Sequence, residues 1–257
     1  MDLDLDLDMD KAYAARVRAC GSLGELFALW QEKPAVEEGC WRIDHRRAFI
    51  RDGVVNPAVW EQLAGPRICF VLKEAYGEAG SWDLAEWLRE GLREGRPDKR
   101  IWRRVIEWTY GLSHSNRERA ARYYPGIYEE ERDLLNKIAV VNLKKSDGRR
   151  ASDYGEIGAY AWADREEIRR ELALIGPDIV VCGSTFGALN RAYGERLDLE
   201  GERCDNWFYF TEAICGRRTL VLDYYHPANR YPALLNFYGL VGIYRQALLA
   251  EPDWGNF

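Results

Sequence analysis

Four short apolar runs, spaced along the chain and separated by stretches of helical periodicity, restrict this sequence more than any other feature. They are ICFVLKEAYG (68–77), IAVVNLKKSDG (138–148), DIVVCGSTFG (178–187) and TLVLDYYHPANR (219–230). Each has the length and β-branched content of a strand buried on both faces, as in parallel sheets. Strands alternating with helices imply an α/β chain, because each right-handed crossover lays a helix against the sheet. The expected fold is a three-layer αβα sandwich around a central, mostly parallel sheet. Open sheets of this kind work where strands run out into loops. Three of the runs end in polar clusters there, making Glu74, Asn142 and His226 candidates for one shared site; the run at 178–187 ends in small residues.

The segments between the runs have helical spacing. At 83–94, Leu84, Trp87, Leu88 and Leu92 share a face, and 101–110 repeats the pattern. The stretch between the first two runs exceeds a minimal crossover and leaves room for an inserted helical cap. Apolar positions from Ile157 to Ile175 predict one helix or two in sequence, stopped by Gly176 and Pro177. A short helix is expected at 185–193. The segments 207–214 and 219–224, separated by CGRR, suggest a hairpin that adds an antiparallel edge. A closing helix at 232–249 would turn Leu235, Tyr238, Val241, Tyr244 and Leu248 inward. Ahead of the runs, 11–31 is helical with a division at Gly21 and Gly24, and 35–64 is a connecting region with a short strand near 48–50, a turn at Asp52 and Gly53, and a helix from Pro57.

With 257 residues, 47% of them hydrophobic, the chain can bury a substantial core. The expected division is an acidic disordered tail at 1–10, a helical extension at 11–64, and a single α/β core at 65–250. Of the net charge of −6, five negative charges fall in MDLDLDLDMD, which leaves about −1 for the rest. No apolar stretch is long enough to suggest a membrane span, and the acidic start is unlike a signal peptide. A cytoplasmic location without membrane association is expected, and no obligate protein partner is evident. Six cysteines lack a C-x-x-C pair, and Cys69 and Cys182 lie inside strand runs, so buried free thiols are expected. Neither a metal nor a cofactor is expected. Positive charge gathers at 96–104 and 144–150, either as solvated faces or, for the second cluster, as groups able to meet phosphate beside Asn142.

At LKEAYG (72–77), VVNL (140–143) and HPA (226–228) the chain resembles the uracil-DNA glycosylase superfamily, whose members carry a GQDPYH-like motif after the first core strand, an Asn at the end of another, and HPS after the last. The motif order agrees, and the resemblance covers roughly residues 65–245. It implies a glycosylase-like fold and a hydrolase of N-glycosidic bonds in DNA repair, with nucleic acid or nucleotide as partner. Carried over by position, Glu74 would orient the attacking water, His226 would donate to the departing base, and Asn142 would read the base edge. Tyr76 would wall the pocket, and Trp82 or Trp87 would offer a stacking face. Lys144, Lys145 and Arg230 would meet the nucleic-acid backbone. The chain departs from the family in having Glu74 for Asp, Ala75 for Pro, Gly77 for a second His and Ala228 for Ser. Uracil specificity is therefore not expected. A non-catalytic nucleic-acid or nucleotide binding protein on the same fold is the alternative. Each residue also has a plainer reading: Glu74 as a carboxylate paired with Lys73 or another base, Asn142 as a turn closer, His226 as a satisfied loop histidine.

Overall fold

The computed structural model describes residues 2–76, 80–94, 100–149, 151–197 and 207–255, with side chains described from residue 11 onward. Six strands form the central sheet. They are β4 (Gly53–Val54), β5 (Ile68–Glu74), β7 (Ile138–Lys144), β8 (Ile179–Gly183), β9 (Phe208–Thr211) and β10 (Thr219–Tyr224), in the order β4-β7-β5-β8-β10-β9. The four apolar runs of the sequence are the four central strands, all parallel to one another. The edges β4 and β9 run antiparallel, so the proposed hairpin at 207–224 is present. Chain order reverses between β5 and β8, since β7 lies on one side of β5 and β8 on the other. Such a switch point opens a crevice at the carboxyl ends of the strands.

Strand alternation divides the core. Ile68, Phe70, Leu72, Val140, Val181 and Leu222 face one layer, while Cys69, Val71, Ala139, Val141, Val180 and Val221 face the other. The first layer contains α4 (Leu84–Arg93), α5 (Arg100–Ser113) and α10 (Ala233–Ala250); the second contains α2 (Leu23–Gln31), α8 (Arg165–Ile175) and α9 (Phe186–Ala192). The molecule is thus a mixed α/β sandwich.

Local chemistry sets the helix ends. Ser22 accepts from the Glu25 amide, Asp83 from the Glu86 amide, and Asp153 from the amides of Gly155 and Glu156 at the start of α7 (Tyr154–Ala163). Gly176 ends α8 in the left-handed region, at φ 59°, where a side chain would be strained.

Several expectations need correction. The acidic run expected to be a disordered tail lies within helix α1 (Asp2–Ala19). The segment before residue 65 is more than a helical extension: it forms the hairpin β1 (Val36–Glu38) and β2 (Trp41–Ile43), contributes β4 to the central sheet, and pairs β3 (Ile50–Arg51) with β6 (Trp82–Asp83). It also contains α3 (Pro57–Trp60), with Pro57 in its first turn. In α10 the inner face is centred on Phe237, Leu240, Val241, Tyr244 and Leu248, while Leu235 and Tyr238 are exposed. The shift has a polar cause: Asn236 is drawn inward by hydrogen bonds to the preceding loop. Cys20, Cys69 and Cys182 are buried free thiols as expected, whereas the free Cys40 is exposed and Cys215 half-buried; Cys204, Gly77 and the start of the basic cluster at 96–104 lie outside the described residues. No helix among the described residues is long and apolar enough to cross a membrane.

Candidate active site

A cavity of about 840 Å³ opens at the carboxyl ends of the parallel strands, within the size range of small-molecule and cofactor sites. Glu74, Asn142 and His226 all line it, and so does Tyr76. These residues come from the end of β5, the interior of β7 and the loop after β10. They are far apart in sequence, and the parallel register brings them to one rim.

Three tryptophans wall the cavity. Trp82 and Trp87 lie with ring centroids 6.5 Å apart, edge to face, and Trp102 joins them from α5. Sequence reasoning offered Trp82 or Trp87 as alternatives; the structure brings in both and adds Trp102. Leu84 and Ile101 complete the apolar side, so the inserted helices α4 and α5 form the expected cap. Trp102 was legible only as one more apolar residue of helical spacing.

The carboxylate of Glu74 is nearly buried, with 2% of its side chain exposed, and its Oε2 lies 3.0 Å from Lys144 Nζ. Its Oε1 is buried without a hydrogen-bond partner among the described residues. One oxygen is thus anchored and the other remains able to accept. Lys144 also bonds Glu156 Oε1 at 3.0 Å. Lys73, the partner suggested by adjacency, instead lies over the Tyr154 ring, 4.8 Å from its centroid.

Asn142 is held from beneath. Its backbone amide and its Nδ2 both donate to Asp52 Oδ2, at 2.8 and 3.1 Å. Asp52 is ion-paired with Lys145, whose Nζ also donates to Glu171 Oε1 at 2.9 Å, and all three side chains are wholly buried. Burial, and then the neighbouring Asp52, push the Glu171 carboxyl well above the usual carboxylate range. A carboxylate only accepts, so the amide must turn Nδ2 toward Asp52. The Oδ1 atom is left for the cavity side.

These contacts correct the roles expected of Lys144 and Lys145. Neither can neutralise a nucleic-acid backbone, because Lys145 is fully buried and Lys144 is 3% exposed, each between two carboxylates. Two adjacent lysines after a strand look solvated in sequence, whereas here Lys144 is the last residue of β7 and Lys145 follows it, both buried among carboxylates. The exposed Arg149, from the same cluster, is the residue that reaches the cavity. Arg230 is exposed and lines a separate, smaller pocket.

His226 is positioned by the small residues that end β8. The His226 amide donates to Ser184 Oγ at 2.9 Å, and Ser184 sits at φ 56°, an uncommon conformation for a residue with a side chain. A Cβ on Gly183 would lie 2.7 Å from Leu72 Cδ2 and 3.2 Å from Pro227 Cδ. Only glycine lets the His-Pro loop come this close. Thr185 donates its hydroxyl to the Val71 carbonyl at 2.7 Å, tying the turn to β5. The Gly-Ser-Thr sequence was noted as a small-residue ending, but its role in holding His226 depends on contacts between strands.

The imidazole Nδ1 accepts from the Ala228 amide at 3.2 Å, so the neutral ring carries its proton on Nε2. Burial first, and the charge of Lys73 second, lower its pKa to about 4. Near neutral pH the site therefore offers an uncharged N–H donor. Ala228 lines the cavity without a hydroxyl.

A second glycine closes the other side of the site. The Gly148 amide donates to the Ala75 carbonyl at 3.0 Å, and a Cβ there would lie 2.2 Å from that oxygen. Gly148→Ala is expected to push the loop carrying Arg149 away from the β5 end and to destabilise the protein by about 1–3 kcal/mol. Urea denaturation of this variant against the parent checks it; an unchanged midpoint would show that the close approach is unimportant.

Among the described residues, no group of His, Cys, Asp and Glu could hold a metal ion. The cavity combines an anchored carboxylate, an oriented amide and a neutral imidazole with aromatic walls. This set can stack a flat heterocycle, bond its edge and face opposite charges that develop across a breaking bond. No family model and no curated protein matches the chain.

Proposed function

We propose that this protein is a base-recognising hydrolase of the glycosylase type, a divergent relative of the uracil-DNA glycosylase superfamily that cleaves an N-glycosidic bond in nucleic acid. The observation that carries the proposal is the convergence of Glu74, Asn142 and His226 on one tryptophan-walled cavity. Breaking such a bond builds positive charge on the sugar and negative charge on the base. The Glu74 carboxylate, at the end of β5, is suited to orient a water and to face the cationic sugar. The His226 Nε2–H is suited to donate to the base as charge accumulates, and it needs no proton from solvent to do so. Asn142 offers Oδ1 to a donor on the base edge, while Trp82, Trp87 and Trp102 supply faces for a base taken out of its stack.

A second reading is favoured by one specific contact. Lys144 occupies Glu74 Oε2 at 3.0 Å, which suits a structural carboxylate in a nucleic-acid or nucleotide binding protein without turnover. One assay separates the two. Purified protein is incubated with single- and double-stranded oligonucleotides carrying uracil, hypoxanthine and other altered bases, and free base is measured by chromatography. Release from at least one substrate supports the hydrolase. Saturable binding with no release from any substrate supports the binding protein.

A further inference from the structure

We infer that Arg100, Arg104 and Arg230 form a pocket for a backbone phosphate of a single-stranded nucleic acid, and that bases flanking this phosphate lie on the exposed aromatic row Tyr231, Tyr225 and Trp207. The inference rests on the proposed nucleobase cavity only for the place of the strand's target base.

A second pocket of about 560 Å³ lies beside the first, lined by the three arginines with Asn229 and Tyr231. Arg100 and Arg104 are one turn apart on α5 and so share a face. The side chain of Arg104 is 8% exposed, with its Nε 3.8 Å from Glu107 and its Nη2 3.4 Å from the Tyr231 carbonyl. Its Nη1 is buried and has no hydrogen-bond partner among the described residues. A buried guanidinium nitrogen left unbonded is costly, and an oxyanion satisfies it. Three guanidinium groups in one pocket of a chain with net charge −6 point to a phosphate.

The two pockets are rigidly related. Residues 101 and 102 of α5 line the larger cavity, while 100 and 104 line the smaller. The loop after β10 does the same, with His226 and Ala228 in one pocket and Arg230 and Tyr231 in the other. Asn229 and Asn236 lock that loop: Asn229 Nδ2 donates to the His226 carbonyl at 2.9 Å and to Asn236 Oδ1 at 2.8 Å, and Asn229 Oδ1 accepts from the Tyr231 amide at 3.0 Å. A ligand seated at His226 therefore finds the arginines at a fixed offset, set by α5 and the loop that both pockets share.

The aromatic row favours a strand over a free nucleotide. Tyr231, Tyr225 and Trp207 are 56%, 39% and 38% exposed. Ring centroids are 5.2 Å apart for Tyr225 and Tyr231, and 5.9 Å for Trp207 and Tyr225. The row begins at the arginine pocket, since Tyr231 lines it. Exposed aromatics beside a cationic groove are the usual platform for single strands.

The test is fluorescence anisotropy with a labelled single strand of about eight nucleotides, alongside a nucleoside monophosphate, inorganic phosphate and a polyglutamate peptide as competitors. Arg100→Ala and Arg230→Ala, both at exposed positions, are expected to weaken strand binding about tenfold each at low salt and to flatten its salt dependence. Tyr225→Ala and Tyr231→Ala are expected to weaken it about fivefold or more while leaving competition by inorganic phosphate unchanged. Strand affinity indifferent to the arginine changes would overturn the inference. So would a mononucleotide that binds as tightly as the strand, or a preference for polyglutamate. Strand binding in the expected pattern without base release would leave the inference standing and end the hydrolase reading. Base release with an affinity indifferent to all four substitutions would end the inference alone.

Discussion

Lys145→Ala is expected to cost about 3–5 kcal/mol of folding stability, the loss typical when one member of a buried ion pair is removed. The reason is geometric. Lys145 is wholly enclosed, pairs with Asp52 and Glu171, and lies 5.2 Å from the Trp30 ring centroid. Without the ammonium, Asp52 would be a buried carboxylate facing Glu171, whose own carboxyl is already held high by burial. The damage should reach the cavity, because Asp52 orients both the amide and the side chain of Asn142. Urea denaturation measures the stability, with the half-buried Lys73→Ala as the comparison. A loss at Lys145 no larger than that at Lys73 would mean that the trio does not brace the strand. A protein too unstable to purify would still reveal the direction, and Lys145→Met, which keeps the stem without the charge, should fall in the same direction.

Under the hydrolase reading, His226→Ala is expected to lower base release by about a hundredfold to a thousandfold, the loss typical of removing one donor aimed at a developing anion. Glu74→Ala is expected to fall by at least as much. Glu74→Asp tests position separately from charge, since it withdraws the carboxylate by one methylene, and a displacement of about 1 Å can cost roughly a hundredfold. The pH dependence carries more information about mechanism than the size of either loss. His226 is held down to about 4, chiefly by burial and then by Lys73, so its Nε2–H stays neutral and able to donate across pH 5–8. Activity limited by this group should be level over that range and change only as pH approaches 4. A fall in activity on passing upward through pH 6–7 that disappears in the His226→Ala background would indicate a charged imidazole and overturn the assignment.

The same shift has a consequence for stability. The folded state binds the His226 proton less readily than the unfolded chain, whose pKa is near 6.5. Its contribution is fully present above about 6.5 and is lost as pH falls through 6.5 toward 4, because the unfolded chain gains the proton first. The His226 NMR resonance, assigned by its loss in His226→Ala, reports the titration directly.

Much of the site was legible because a parallel sheet converts chain order into position. Once β5, β7 and β10 are parallel neighbours or near neighbours, the groups that follow their apolar cores must gather at one edge. Glu74, Asn142 and His226 follow that rule, and the cap over them was visible as surplus helical sequence before β7. The charged residues were harder to place. Lys144 and Lys145 share the composition of a solvated patch, and their burial becomes visible only when Asp52, Glu156 and Glu171 are brought in from 12 to 93 positions away. Asn229 and Asn236 read as ordinary loop and helix polar residues, yet they lock the loop shared by both pockets.

By itself, the sequence determined the layers and the parallel centre of this protein, because hydrophobic periodicity and helix-end chemistry act over a few residues and need no distant partner. It also determined which strand ends bring polar side chains to one cavity. Only the tertiary structure decided which charges face solvent, how the amide and imidazole are oriented, and that arginines of α5 stand beside the loop after β10. Electrostatics and close packing depend on what lies across space, and a chain read in order does not contain that distance.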